Sequence, residues 1–475
     1  MTPSSLDPSV NVCQRPSESA VTIGVFGHYG NQNLGDEAII EASIHNIRQR
    51  LPQARIICFS LRPRDTQARH GLSAYPIRDT AERVMSRSAE MERAKAPGAP
   101  QAQPGDSRTL AGRLKARLKT LPLAYRLARF IAGLPQALWR PASEIGFLWR
   151  SRTILKEVDL LLIAGSNQFL DNFGGIWGFP YTLLKWTLLA KSTGTKVAFV
   201  SVGAGPLSAT VSKAMNRIAL ALADYQSVRD EQSKALLTGS MQAKLPLVYP
   251  DLAFSLPVSA GESVATRLRA SGSKPTVGIN VMAIYNERYW FAPDRDKYRR
   301  YVGQVATFAT FLVRRGYPAF FFGNQPYDEL VIDDVTEAMA NMGLNRDQIP
   351  ARAASADTVT DLMQTLRRAD VVVAARFHAI VLALHAHRAV LGVCYGAKCV
   401  DLLRAMDQGE FAFDLDDFRT EDLERAFLRL CGSLDAQIER IRRRHAQYQR
   451  ALDEQYGKVL GLLSLRATRS VGVTS

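Results

Sequence analysis

The chain has 475 residues, 47% of them hydrophobic, and a formal net charge of +15. That length implies two or three domains, and the lack of any uncharged apolar run of about 20 residues argues against a membrane-spanning helix. Only Cys394 and Cys399 form a close pair among the five cysteines, which fits a reducing compartment better than a disulfide framework or a metal site.

Residues 1–20 hold Pro3, Pro8 and Pro16 and no apolar h-region, so they read as a disordered lead-in rather than a signal peptide. The first element is a short strand, Ile23 to Phe26, that stops at Gly27. A loop bearing Gly27, Gly30 and Gly35 follows. Then Asp36 is expected to cap and open a helix with Ile39, Ile40, Ile44, Ile47 and Leu51 at helical spacing. Such a turn offers backbone N–H groups at the positive end of a helix dipole, a seat for an anion or a polar sugar. The glycine pattern alone fits an ordinary β–α turn equally well. The polar loop residues His28, Asn31, Gln32 and Asn33 favour the functional reading.

Arg55 to Ser60 is the second strand. Ala94 to Asp106 is rich in Pro and Gly and reads as flexible, within an insertion over 80–150. Between Asp106 and Arg152 ten basic residues face two acids, and Leu110, Leu114, Leu118 and Leu121 share one helical face. A basic helix with apolar anchors can lie on an anionic membrane surface; it can equally be a solvated helix packed on its own domain. Nucleic acid is not the expected partner, because charge alone, without a binding motif, would support it.

Regular alternation resumes with the buried-type strand Val158 to Gly165 and a polar loop that includes Ser166 and Asn167. Strands follow at Lys196–Gly203 and Tyr225–Asp230, and Val248 to Phe254 closes this half. Residues 257–275 read as a linker. The second half carries strands Val277–Asn280, Ala319–Phe322, Val371–Ala374 and Val390–Tyr395. Helices are expected at Tyr301–Arg315 and Val359–Arg367, with a helical stretch from Thr420 to Leu463. The domains are therefore 21–256, 276–416 and C-terminal helices over 417–466, ahead of a tail at 467–475. The fold class is α/β: two Rossmann-like domains facing a cleft, with a basic helical insertion and C-terminal helices. Ligands of open parallel sheets bind beyond the strands' carboxyl ends, and four candidate residues sit at such ends. Arg229 can fork onto a phosphate or carboxylate, or pair with Asp230. Arg376 and His378 follow one strand, where His378 is either a tuned acid–base group or a structural histidine. Lys398 adds a further charge or is simply solvated. His385 and His387 read as surface or core histidines, not ligands.

Four segments in order resemble the polysaccharide pyruvyl transferases: Gly27-x-x-Gly-Asn-x-Asn-x-Gly-Asp-Glu-Ala-Ile39, Ser227-Val-Arg-Asp230, Tyr249-Pro-Asp-Leu-Ala-Phe254 and Arg376-Phe-His378. They span roughly residues 21–405. The chain departs from that family's usual glycine run at Ala164-Gly-Ser-Asn-Gln168. The resemblance implies a GT-B-like fold and transfer of the enolpyruvyl carbons of phosphoenolpyruvate to two hydroxyls of a sugar, giving a pyruvate ketal. The acceptor would be a polysaccharide or its lipid-linked oligosaccharide precursor; the alternatives are a GT-B-type glycosyltransferase using a nucleotide sugar, for which Glu329, Asp333 and Asp334 form no recognisable motif, and a non-catalytic member that serves polysaccharide assembly. The protein would be cytoplasmic, peripheral on the inner face of the membrane, and would need no metal or other cofactor. His378 is then the general acid, and Arg229, Arg376 and Lys398 hold the donor's charges. Gly27, Gly30, Asn31, Asn33, Gly35, Asp36, Ser166 and Asn167 would line the substrate cleft.

Overall fold

A computed structural model describes residues 21–30, 33–79, 143–172, 174–238, 246–258, 272–290 and 292–470. The expected lead-in, Asn31 and Gln32, most of the basic insertion, most of the linker and residues 471–475 lie outside them.

Two sheets form the frame. The first contains β1 (Thr22–Phe26), β2 (Arg55–Ser60), β3 (Ala74–Pro76), β4 (Leu160–Ala164), β5 (Asn167–Phe169), β6 (Lys196–Ala204), β7 (Tyr225–Val228) and β8 (Leu247–Val248). Its order is β3-β2-β1-β4-β6-β7-β8, with β5 paired to β6. The second contains β9 (Val277–Asn280), β10 (Ala319–Phe322), β11 (Ala351–Arg352), β12 (Val371–Ala374), β13 (Ala389–Cys394) and β14 (Ala412–Asp414), in the order β11-β10-β9-β12-β13-β14. The central pairs are parallel, with Val25 opposite both Cys58 and Leu162, and Ile279 opposite both Phe321 and Val373. Runs such as Leu160-Leu-Leu-Ile-Ala164 are buried along their whole length, as parallel strands covered on both faces must be.

In each sheet the strand order reverses beside the first strand, between β1 and β4 and between β9 and β12. Crevices open at such switch points, beyond the strands' carboxyl ends. The segments leaving β1, β4, β9 and β12 begin at Gly27, Gly165, Val281 and Ala375. Within each sheet, topology therefore sets two of these loops side by side, and the packing between the halves brings the two pairs together.

The helices are α1 (Leu34–Arg50), α2 (Pro63–His70), α3 over 143–155, α4 (Phe179–Ser192), α5 (Thr210–Leu222), α6 (Glu231–Thr238), α7 (Arg295–Arg314), α8 (Asp328–Asn341), α9 (Val359–Arg368), α10 (Phe377–His385), α11 (Ala397–Ala405), α12 (Thr420–Gly432) and α13 (Leu434–Ser470). Local signals start several of them. Thr358 and Asp361 form a reciprocal capping box on α9, and Asp294 accepts from two backbone amides at the start of α7. The last helix runs to Ser470, past the expected boundary at 466.

One apolar cluster crosses between the two halves. It joins Ile39, Ile40 and Ile44 of α1 to Leu362 and Leu366 of α9, Ile380 and Leu384 of α10, and Leu452 and Tyr456 of α13. Full burial of each such Ile or Leu is worth ~1.5–3 kcal/mol. This shared core fixes how the two sheets face each other. Two further clusters fill the outer layers, one per half.

Candidate active site

A cavity of about 630 Å³ lies between the two switch points. His28, Asn33, Asp36, Ser166, Asn167 and Arg229 line it from one side. Tyr289, Trp290, Asn324, Arg376, His378 and Lys398 line it from the other. A second cavity of about 690 Å³ lies between α1, α2 and α9. Its most buried acid, Glu37, already accepts from Gly30 N at 2.8 Å and lies 3.0 Å from His70 Nε2. The strand-end cations all converge on the first cavity.

The glycine loop differs from its expected role. Gly27 N donates to Phe59 O (3.1 Å), Gly30 N to Glu37 Oε1 (2.8 Å) and Gly35 N to Asn33 Oδ1 (3.2 Å). These amides are taken up within the protein, so Gly27, Gly30 and Gly35 offer no N–H cradle to a ligand. Asn33, not Asp36, caps α1. Asp36 sits one turn in and turns its carboxylate to the cavity. Ser166 Oγ donates to Asp36 Oδ1 at 2.8 Å, Asn33 Nδ2 donates to Oδ2 at 2.7 Å, and His28 Nδ1 lies 3.6 Å away. Burial would raise the Asp36 pKa, but the His28 and Ser166 contacts hold it below the usual carboxylate value. Tyr29 fastens the loop beneath, donating to Ala164 O at 3.0 Å.

Gly35 has a different task. A methyl group there would stand 2.1 Å from His378 Nδ1. The glycine lets the α1 N-terminus and the α10 N-terminus, one from each half, close on each other with the imidazole between them. The His378 side chain is 14% exposed, and its Nε2 lies 3.8 Å from Asp251 Oδ2 with no hydrogen-bond partner among the described residues. Burial lowers the His378 pKa; Asp251 and Asp36 oppose this, and Arg229 and Lys398 reinforce it. The ring is therefore neutral at neutral pH until more negative charge arrives.

Both arginines have carboxylate partners. Arg229 Nε lies 3.3 Å from Asp230 Oδ2, and its Nη1 lies 3.4 Å from Asp251 Oδ2. The ion-pair reading of Arg229 and its place at the cavity thus hold together. Arg376 grips Asp328 through two nitrogens, Nε at 2.7 Å from Oδ2 and Nη2 on Oδ1. Asp328 is fully buried, and its Oδ2 also accepts from Asn324 N at 2.9 Å. Breaking such a pair by removing one partner costs ~3–5 kcal/mol, because the other charge stays buried. Lys398 forms no ion pair among the described residues; its Nζ lies 5.3 Å from the Phe377 ring and 5.0 Å from the Tyr395 ring.

Sequence reading named Tyr249–Phe254 as a motif but gave Asp251 no role. Its carboxylate caps the next turn through Ala253 N and faces both Arg229 and His378. Asp328 and Asn324 had no signal at all, since Arg376 and Asn280, the partners that tie them to the site, lie 48 and 44 positions away. His385 and His387 sit away from the cavity. His385 Nδ1 lies 3.0 Å from His445 Nε2, and His387 Nε2 lies 3.2 Å from His445 Nδ1. The three rings form a partly buried chain that ties the C-terminal end of α10 to α13.

A family model described as polysaccharide pyruvyl transferase matches residues 33–396. No curated protein matches the chain. The Anabaena protein Alr3699/HepE, solved with UDP and glucose, is 11% identical with a TM-score of 0.46; the match covers 96% of this chain and 100% of that one. UDP-GlcNAc 2-epimerase from Neisseria meningitidis, bound to UDP-GlcNAc, is 10% identical with a TM-score of 0.43 over 88% of this chain and 93% of its own. E. coli ADP-heptose lps heptosyltransferase II is 13% identical with a TM-score of 0.41 over 87% and 100%.

Proposed function

The chain belongs to the polysaccharide pyruvyl transferase family, and from that premise we propose that it moves the enolpyruvyl carbons of phosphoenolpyruvate onto two hydroxyls of a sugar, forming a pyruvate ketal. The observation that carries this reading is the convergence of Arg229, Arg376, Lys398 and His378 on one cavity between the two switch points. A donor with a phosphate and a carboxylate calls for several preorganised cations. Arg229 and Arg376 are held in place by Asp251 and Asp328, so neither must be ordered when the donor arrives.

In the proposed chemistry, His378 delivers a proton to the methylene carbon, which becomes a methyl group and leaves C2 electrophilic. One sugar hydroxyl attacks C2, and its proton returns to His378. The C2–phosphate bond breaks, the second hydroxyl closes the ring, and its proton leaves with phosphate. A positioned histidine contributes about 10²–10⁴-fold to such a step. Asp251, 3.8 Å from Nε2, stabilises the charged ring. The donor's own negative charge raises the His378 pKa toward the range where it can act as an acid.

The test is phosphate release from phosphoenolpyruvate that requires an added glycan. His378→Ala should lose about 10²-fold or more in turnover, and Arg229→Ala should raise the donor KM by about ten- to a hundred-fold. Near-normal turnover in the first variant would remove His378 from the chemistry.

A lipid-carried acceptor would bring the protein to a bilayer. Among the described residues no helix is long and apolar enough to cross a membrane. We propose that α3 and its surroundings form a peripheral contact with anionic lipid. Trp149 is 72% exposed and Ile145 66% exposed, beside Arg150 and Arg152. Trp177, also 72% exposed, packs on Tyr181, whose hydroxyl donates to Glu144 of the same helix. Exposed tryptophan beside arginine suits a headgroup interface.

A further inference from the structure

Closing the ketal ring frees the proton of the second hydroxyl. His378 is poorly placed to carry it, because that ring has just taken the proton of the first. Few other groups at the cavity can act as a base. Phenols and ammonium groups keep their protons near neutral pH. Burial alone would raise the carboxyl pKa of Asp36 and Asp230, but His28 and Ser166 pull the first down, and Arg229 and Ser233 the second. Both carboxylates are therefore weak bases. His28 remains, on the cavity wall, with its side chain 31% exposed and its ring edge-on to Phe179 at 5.1 Å.

Its surroundings suit the task. Nδ1 faces Asp36 Oδ2 at 3.6 Å. A carboxylate only accepts, so the neutral ring carries its proton on Nδ1 and has Nε2 as the acceptor. Acid–base pairs of this kind are often this loose until substrate binds. Asp36 itself is held from two sides, by Asn33 Nδ2 at 2.7 Å from Oδ2 and by Ser166 Oγ at 2.8 Å from Oδ1. The serine is costly where it stands. Ser166 has φ 56°, in the left-handed region that glycine enters freely and a side chain does not. In return its hydroxyl, on a residue only 3% exposed, reaches the Asp36 carboxylate.

The dyad also lies close to the groups assigned to the donor. Gly35, the neighbour of Asp36, packs on the His378 ring, and the Asp36 charge acts on that ring. Asn167, the neighbour of Ser166, meets Arg229 over Gly203: a methyl group there would lie 2.7 Å from Asn167 Oδ1 and 2.6 Å from Arg229 Nη2.

We infer that His28 is the base that takes the proton of the second hydroxyl as the ring closes, with Asp36 and Ser166 as its positioning residues. The assignment rests on the pyruvyl-transfer reading. Phosphate leaves C2 with the bonding electrons, the second hydroxyl oxygen bonds to C2, and Nε2 of His28 takes the hydroxyl hydrogen. Asp36 stabilises the imidazolium that forms, as the carboxylate of a catalytic triad does. The imidazolium then gives its proton to the departing phosphate, and the ring is neutral again.

The experiment uses the full chain in heavy water with phosphoenolpyruvate and methyl glycosides of gluco, galacto and manno configuration. NMR follows two signals: the methyl group of the ketal, and deuterium entering the methylene of recovered phosphoenolpyruvate. The second reports the first addition, which can reverse until phosphate leaves. His28→Ala should cut ketal formation about 10²-fold, yet keep the deuterium exchange and the thermal shift produced by phosphoenolpyruvate. His378→Ala should lose both NMR signals. Ser166→Gly suits the backbone at this φ, so it should fold; it should lower kcat about ten-fold and leave the donor KM unchanged. The inference is overturned if His28→Ala forms ketal at a near-normal rate, or if its exchange falls as far as its ketal formation. An unchanged kcat in Ser166→Gly would remove the positioning role. A wild-type chain that forms no ketal with any of the glycosides would sink the pyruvyl-transfer reading, and the role of His28 with it; normal ketal formation in His28→Ala would sink His28 alone.

Discussion

A single methyl group at Gly35 would occupy the place of the His378 imidazole, 2.1 Å from Nδ1. Gly35→Ala should therefore displace the ring and cut turnover strongly, while α1, capped by Asn33, keeps its helix. Turnover and far-ultraviolet circular dichroism together check this; unchanged turnover would show that the ring is not held there. The charge on His378 yields a second expectation. Burial lowers its pKa in the empty site, so phosphoenolpyruvate binding should draw in a proton. The thermal shift produced by phosphoenolpyruvate should grow as pH falls from about 8 to about 6. His378→Asn should remove that part of the pH dependence, and an identical profile in the variant would assign the proton elsewhere. The sequence marked His378, Arg229 and Arg376 because each follows a strand. It was silent on Asp328, which lies 48 residues from Arg376. It also misassigned the cap: Asn33 and Asp36 are both good caps, and only the loop's path decides between them.

At the scale of elements, strands β9, β10 and β12 match their sequence reading residue for residue, because Val, Ile and Phe runs buried on both faces have sharp ends. β5 and β11, of three and two residues, carry no periodicity to read. Helix α8 has no place in the sequence reading, although its acidic first turn is a helix-start signal. The contact between α10 and α13 could not be read either, since it depends on His445 meeting two histidines about 60 positions away. Burial pushes His385 down to about 4 and His445 to about 3, and His387 is also lowered. Arg388 and Arg442 reinforce the effect at His387, and Glu439 opposes it. These rings stay neutral in the fold and take up protons in the unfolded chain below about pH 6.5. Their stabilising effect is thus full above that pH and is lost as pH falls toward 4. The melting temperature should drop steeply in this window, and His445→Gln should flatten the drop. A wild-type slope in the variant would mean that other groups titrate.

At the scale of the whole molecule, the proposed lipid contact on the α3 face can be tested apart from the cleft. Vesicles containing anionic lipid should sediment the full chain, and Trp149→Ala with Ile145→Ala should weaken this about ten-fold or more, given the transfer energy of two buried side chains. Equal pelleting on neutral vesicles would count against the lipid contact. The two-sheet plan was legible because alternating strands and helices leave few topologies; how the sheets face each other was not, since it depends on a core shared among α1, α9, α10 and α13. Helix α13 leaves the second half and returns to the first. Gln455 Nε2 donates to Ser227 Oγ at 2.7 Å and to Ser201 Oγ at 3.1 Å, and Arg50 pairs with Asp453. A chain synthesised from its N-terminus meets a delay here. When the strands bearing Ser201 and Ser227 have emerged, the glutamine that completes their hydrogen bonding is still more than 200 residues from being made. The first half must wait, incompletely covered, for the last helix. On the ribosome it is then the part most exposed to misassociation and to chaperones.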